Sequence, residues 1–311
     1  MVQPPSAFEV RLGADAEAIE RMLETLLDPA PRPGEIARPR RLMEAMRYAT
    51  LGGGKRLRPF LLVESARLFG AAGEGVLRAA CALEMVHCYS LAHDDLPAMD
   101  DDAMRRGRPA LHRAFDEAAA ILAGDALLTY AFDVLADDAT HPDPGARAAL
   151  LLGLARAAGL GGMAGGQMLD LEAEGRYEAA GPLALDEPAV RRLQAMKTGA
   201  LLSFAPEAGA ILGGASAEDR ATLLSYGKAL GAAFQVADDI LDVEASADAL
   251  GKATGKDAAR GKATLVGVLG LDEAKAERDR LAHAAVMALA GFGPEADTLR
   301  EAARFTAERR S

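Results

Sequence analysis

Apolar positions along this chain recur at helical intervals, and no stretch of useful length alternates with the two-residue period of a strand. The clearest case is 217–243, where Leu223, Leu230, Phe234 and Leu241 fall seven, four and seven residues apart. Ser216 with Asp219 reads as a capping box ahead of that stripe. The same spacing predicts helices over roughly 9–27, 41–51, 59–70, 75–96, 112–137, 146–175, 188–212, 265–290 and 295–309. Between them lie the Pro-rich 28–39, the run Gly52-Gly53-Gly54 and the turn sequence HPDPG at 141–145. Gly161, Gly162, Gly165 and Gly166 fall inside a helical stretch, where each costs about 1 kcal/mol relative to Ala. They predict close helix packing or a kink. No repeat of fixed period and no long flexible linker is evident, so 1–311 reads as one all-α domain of about ten helices or more.

Composition agrees with that reading. Half of the 311 residues are hydrophobic, aromatics are only 5% and Trp is absent, which leaves Ala and Leu to build helices. A formal charge of −11, from 35 Lys+Arg against 46 Asp+Glu, excludes a broadly basic nucleic-acid surface and gives anionic lipid no general attraction. Cys81 and Cys88 are seven apart on a predicted helix, about 10.5 Å along its axis. A disulfide needs Cα atoms within about 7 Å, so they read as two buried free thiols of a reducing compartment. The first residues lack a basic-then-apolar signal, and no apolar run reaches about 18 residues without a charge. The expectation is a soluble, cytoplasmic chain with no membrane span.

Chemistry enters at His93-Asp94-Asp95-Leu96-Pro97-Ala98-Met99-Asp100-Asp101-Asp102. Five carboxylates in nine residues repel one another unless a cation sits among them. Pro97 cannot continue a helix cleanly, so Asp94 and Asp95 should close one while Asp100 returns beside them. An isolated acidic run is more often a solvated loop; the apolar helix leading into this one weighs against that. A second cluster, Asp238-Asp239-Ile240-Leu241-Asp242, sets Asp238 and Asp242 one helical turn apart. That face continues backwards through Gln235, Gly231 and Gly227, a small and polar stripe that looks like the wall of a cavity. Two such sets suit a hard cation with oxygen ligands, Mg²⁺ shared with substrate phosphate. Zn²⁺ fits less well, because neither CxxC nor HExxH occurs.

Phosphate also calls for protein cations. Gly53-Gly54-Lys55-Arg56-Leu57-Arg58-Pro59 places three basic residues just before a helix that Pro59 can start. The run is not a Walker A loop, since Arg follows Lys55. Arg105 and Arg106 follow the first acidic cluster, and His87 lies two turns before Asp94. Any one of these alone is a surface charge; together they outline two anion sites beside a metal cluster. Lys197-Thr198 and the run from Gly251-Lys252 to Lys262 add further phosphate ligands. Gln167 and Asp170, one turn apart, form either a site pair or a satisfied buried network.

DDLPAMDDDAMRRG and DDILD, with GGGKRLRP, KTGALL, FQVADDILD and GKATGKD, resemble the trans-isoprenyl diphosphate synthases over nearly the whole chain, from about Ala18 to Arg309. Their bacterial farnesyl diphosphate (geranyltranstransferase) branch is the most similar. The resemblance implies an all-α isoprenoid-synthase-type bundle around a central cavity, a homodimer, and Mg²⁺ as cofactor, three ions for which Mn²⁺ can substitute. It implies that Asp94, Asp95 and Asp100 hold two Mg²⁺ ions against the allylic diphosphate. Asp238 matches the ligand of a third, with Asp239 and Asp242 in support. Arg105, Lys197 and Lys252 match allylic diphosphate ligands, with Lys262 nearby in the same run. Lys55, Arg58, His87 and Arg106 match the isopentenyl diphosphate site, and Thr198 and Gln235 lie close to the developing cation.

Product length rests on Tyr89, with Ser90 beside it, five residues before Asp94. That is about 7.5 Å deeper along the helix, though rotated about 140° from the Asp94 face. In the family, an aromatic here with the longer first motif goes with C15 products, so farnesyl diphosphate is the expected product. Leu265, Ala237 and Ala103 depart from the family pattern without removing a ligand. The rivals are a geranylgeranyl or other chain-length synthase, a terpene cyclase, and a non-catalytic partner subunit. A cyclase would not need the Lys55/Arg58/His87/Arg106 site, and a partner subunit need not keep both Asp motifs.

Overall fold

The computed structural model describes residues 6–177, 181–250 and 264–308, without the side chains of 246–250. The chain divides into two compact units, Met1–Leu151 with Ile211–Gly214, and Leu152–Ala210 with Ala215–Ser311. Both are helical.

In the first unit α1 (Ala7–Leu26), α2 (Arg40–Thr50), α3 (Leu57–Leu68) and α4 (Glu74–Asp94) precede a ribbon of two short antiparallel strands, β1 (Met104–Arg105) and β2 (Arg108–Pro109). Then come α5 (Leu111–Ala114), α6 (Glu117–Ala136) and the start of α7 (Pro144–Ala158). Ser6 caps α1, its hydroxyl accepting from the Glu9 N–H at 3.2 Å while the Glu9 carboxylate accepts from the Ser6 N–H at 2.8 Å. Helix α4 is buried from Ala79 to Val86, and α6 packs along it. At their crossing a Cβ on Gly124 would run into the His93 ring, so only Gly fits there. His93 Nε2 then lies 3.0 Å from the Ile121 carbonyl.

The second unit holds α8 (Met163–Ala173), α9 (Glu187–Gln194), a π-helical turn (Ala195–Gly199), most of α10 (Ala200–Leu212), and α11 (Ala217–Leu250). After these come α12 (Leu265–Leu269), α13 (Leu271–Ala288), a 3₁₀ turn (Pro294–Ala296) and α14 (Asp297–Glu308). Helix α11 starts where Ser216 predicted, its hydroxyl accepting from the Asp219 N–H at 3.1 Å. Its buried line runs through Leu223, Tyr226, Leu230, Ala233, Val236 and Ile240. Phe234 and Leu241, expected in the core stripe, are only half-buried. The buried face rotates because Val236 and Ile240 pack on Val190, Leu265 and Ala274, whereas Tyr226 donates to the Leu299 carbonyl at 2.7 Å.

Several boundaries differ from the sequence reading. The predicted 146–175 helix breaks at 159–162, where the glycines end α7, and 265–290 breaks at Gly270, whose φ of +84° favours Gly. The β1–β2 ribbon was not anticipated. Length and hydropathy would pass Glu117–Ala136 and Pro144–Ala173 as long enough to cross a membrane, charges included. The first is a core helix, buried along Ala120, Ala123, Leu127, Ala131 and Val134.

Candidate active site

Helix α4 ends at the first acidic cluster, and the turn after it does what Pro97 predicts. The Asp100 N–H donates to the Asp94 carbonyl at 2.8 Å, and those of Met99 and Asp101 donate to the Leu96 carbonyl at 2.8 and 3.1 Å. Asp100 is thereby returned next to Asp94. Asp95 points inward and is 1% exposed. Arg105, delivered by β1, grips both its oxygens: Nε lies 3.0 and 3.2 Å from them, and Nη2 bonds Oδ1 as well. Nη2 also reaches Asp102 at 3.3 Å. Burial pushes the Asp95 carboxyl above the usual aspartate range, and the Arg105 guanidinium opposes that rise.

The glycine-rich loop meets the residues after β1. Arg106 Nη1 donates to the Gly53 carbonyl at 2.7 Å, and a Cβ on Gly54 would stand 3.0 Å from that nitrogen. Arg58 Nη1 lies 3.4 Å from His87 Nε2 on α4. Burial first, then Arg58 and Arg106, drives His87 well below the ordinary imidazole value, so its ring is neutral at pH 7. Lys55 is exposed on the loop.

Arg56 is a different case from its neighbours. It sits in the left-handed region at φ 49° and is 4% exposed. Its guanidinium bonds Glu84 at 2.6 Å, Glu20 at 2.6 Å and the Thr50 carbonyl at 2.5 Å. The middle basic residue of GGGKRLRP therefore anchors the loop rather than meeting a ligand. Its partner Glu84 is a lone acid inside an apolar run, the one signal that marked it. Cys81 and Cys88 are buried and free, as expected, and burial pushes the Cys88 thiol up to about 12.

Tyr89 and Ser90 occupy the same stretch of α4. Tyr89 is half-buried, its ring edge-on to His93 with centroids 5.6 Å apart. The Ser90 hydroxyl donates back to the His87 carbonyl at 2.7 Å.

In the second unit Lys197 and Thr198 sit on the π-helical turn, a feature sequence spacing did not show. Lys197 Nζ lies 2.6 Å from Asp170 Oδ2 on α8, so Asp170 pairs with the lysine. A Cβ on Gly166 would collide with the Lys197 backbone, which is why glycine sits there. Gly227 and Gly231 correct the cavity-wall reading of their stripe. Both are buried, and their missing Cβ atoms let Ser203 and Gly199 close in, a Cβ at Gly231 standing 3.3 Å from the Gly199 Cα. The stripe is a packing seam that seats the turn carrying Lys197 and Thr198 on α11.

Beyond that seam come Gln235, Asp238, Asp239 and Asp242. Asp239 is 4% exposed and accepts from Gln194 at 2.8 Å, Gln235 at 3.0 Å and the Leu265 N–H at 3.0 Å. Burial raises its carboxyl above the usual range and the three donors hold it back. Asp238 is half-buried and Asp242 exposed, one turn along. Gln194 carried no signal in the sequence. Lys252 and Lys262 lie outside the described residues.

Among the described residues no three His, Cys, Asp or Glu side chains converge as a ready-made cage. Mg²⁺ does not require one. It keeps waters and takes one or two carboxylates plus substrate phosphate. Asp94 with the returned Asp100, and Asp238 with Asp242, offer only oxygen donors and fit that ion.

A family model described as polyprenyl synthetase matches residues 39–290. Over 271 residues the chain is 42% identical to the farnesyl diphosphate synthase of Geobacillus stearothermophilus, covering 86% of each chain. It is 41% identical to a chloroplastic geranylgeranyl pyrophosphate synthase of Catharanthus roseus, over 84% of this chain and 71% of that one. An apo FPP/GFPP synthase structure from Zymomonas mobilis superimposes with a TM-score of 0.84 at 42% identity, over 96% of this chain and 98% of that one.

Proposed function

We propose that this chain, which belongs to the polyprenyl synthetase family and is a short-chain prenyl diphosphate synthase, makes (2E,6E)-farnesyl diphosphate by head-to-tail condensation. Isopentenyl diphosphate would add to dimethylallyl and then geranyl diphosphate, releasing diphosphate at each step. The observation that carries the reading is the first cluster. Asp100 is folded back on Asp94 beside Arg105 and Arg106, and Arg106 in turn binds the loop that bears Lys55 and leads into α3, where Arg58 sits in the first turn. Oxygen ligands and anion-binding cations thus belong to one neighbourhood of the first unit.

In this reading Asp94 and Asp100, with Asp238 and Asp242, would hold Mg²⁺, which when bound would supply positive charge against the diphosphate leaving group. Asp95 and Asp239 act from behind, each already committed to protein donors. Lys197 and Arg105 bind the allylic diphosphate; Arg105 Nη1 takes no part in the pairs with Asp95 and Asp102. Their preorganised charge favours breaking the allylic C–O bond, whose electrons leave with the diphosphate. Lys55, Arg58, Arg106 and neutral His87 orient isopentenyl diphosphate so that its double bond attacks the allylic carbon and forms the new C–C bond. Thr198 and Gln235 offer weak dipoles to the delocalised cation without trapping it. The departed diphosphate then takes the proton. Neither unit carries both Asp motifs, so 1–311 as one catalytic domain is part of the proposal, as are a homodimer and a cytoplasmic location.

Tyr89 is the proposed stop for the growing chain, its bulk half-buried on α4 below Asp94. Relatives of different product length match at nearly equal identity, so the test must read length. Radiolabelled isopentenyl diphosphate with C5 and C10 primers should give C15 as the main product, and Tyr89→Ala should lengthen it. An unchanged product length in Tyr89→Ala would remove Tyr89 from this role. A hydrocarbon formed from geranyl diphosphate alone would replace the whole reading with a cyclase.

A further inference from the structure

The second unit contains a cavity of about 620 Å³ that the proposed reaction does not use. Its apolar wall comes from Ala157 on α7, Met196 on the π turn, Ala200 and Phe204 on α10, and Leu224 and Ala232 on α11. Gly153 shapes it: a Cβ there would strike the Phe204 ring, so glycine lets that ring lie against α7. Lys197, Thr198, Gln235 and Asp238 are not among its lining residues. On the π turn and α10 the lining positions 196, 199, 200, 203 and 207 form a face of their own, turned away from Lys197 and Thr198.

The polar groups around the cavity are unbalanced. Glu207 is its one acid and lies 3.6 Å from Arg220. Arg191 is held by Glu187 and Glu277 at 2.7 and 2.8 Å. Arg156 and Lys228 also line it, are exposed, and make no ion pair among the described residues. An apolar chamber of drug-sized volume with two uncommitted cations fits a ligand with an apolar body and a negative head. A cationic or uncharged amphiphile would leave those charges unanswered.

We propose that this cavity is a second, non-catalytic binding site for a single-chain anionic amphiphile, its head held by Arg156 and Lys228 and its chain lying against Met196, Phe204 and Leu224. The site shares structure with the second Asp cluster. Gln194 and Leu265 line it, and the same two residues donate to Asp239. A ligand there packs against the support of the DDILD motif.

The absence of Trp from the chain supplies the test. In Leu224→Trp the only indole stands in the cavity wall, and its emission is followed while dodecyl phosphate, laurate, inorganic phosphate or dodecyltrimethylammonium is added. Saturable change with dodecyl phosphate or laurate is expected, the stronger of the two identifying a phosphate or a carboxylate head. Inorganic phosphate and the cationic amphiphile should give none. Adding Arg156→Glu and Lys228→Glu should weaken the response about tenfold or more. Equilibrium dialysis of radiolabelled dodecyl phosphate, comparing the wild-type chain with Arg156→Gln/Lys228→Gln, reads the same contrast without the reporter. Equal binding of the cationic amphiphile, or affinity untouched by both charge changes, overturns the proposal.

Discussion

The two Asp-rich motifs look alike as strings, yet each buries one carboxylate by a different device. Asp95 is 1% exposed and is held by a full charge, Arg105. Asp239 is 4% exposed and is held by neutral donors, two Gln amides and one backbone N–H. Both solutions position the neighbouring carboxylates, Asp94 with Asp100 and Asp238 with Asp242, and both offset the cost of taking a carboxylate out of water. They differ in what happens when the partner is removed. A buried charge stripped of its countercharge is worse off than one that loses a single amide among three donors.

The largest expected effect tests whether the outward carboxylates do the same work in both motifs. Asp94→Ala and Asp238→Ala should each lower Mg²⁺-dependent kcat/KM about 10²-fold or more, whereas Asp239→Asn, acting through position, should cost about tenfold. Unchanged turnover in either alanine variant would remove that cluster from the metal set. Next in size is the contrast itself. Arg105→Met should cost about 3 kcal/mol in urea unfolding, the low end for breaking a buried pair, because the Arg105 side chain is 34% exposed. Gln194→Leu should cost about 1–2 kcal/mol. Equal losses would mean the charge on Arg105 adds nothing.

The smallest effect is a slope in pH. Both Asp95 and Asp239 are raised by burial, so the folded chain keeps these protons longer than the unfolded one. Their contribution to stability is complete below about pH 3.9 and is lost as pH rises through the raised values. Arg105→Met removes the cation that limits the rise at Asp95. Stability measured from pH 4 upward should therefore fall more steeply with pH in that variant than in wild type, and Gln194→Leu should show a weaker version. Parallel profiles for all three proteins would break the link.

What the sequence made legible follows from local rules. Helical period, the Ser216 cap, the Pro97 turn and the glycine punctuation each depend on a few adjacent residues, and each is found close to where it was read. The return of Asp100 to Asp94 was legible because Pro97 ends the helix between them. The second half of the site was less so. Gly227 and Gly231 read as a cavity wall, because small residues suit open space and close approach equally, and only the facing backbone at 199–203 decides between them. Arg56 shared the look of Lys55 and Arg58 until Glu84 and Glu20, 28 and 36 residues away, claimed its guanidinium.

Sequence alone determined the helical class, the two carboxylate clusters, the cations that accompany them and, through their combination, the family. Those features are carried by residue type and short spacing. Tertiary structure decided which member of each cluster turns inward, what holds it there, that Lys197 rides on a π turn paired with Asp170, and that a chamber with two uncommitted cations lies behind it. Each of those depends on groups distant in sequence meeting at van der Waals or hydrogen-bond distance, and no local spacing rule encodes such meetings.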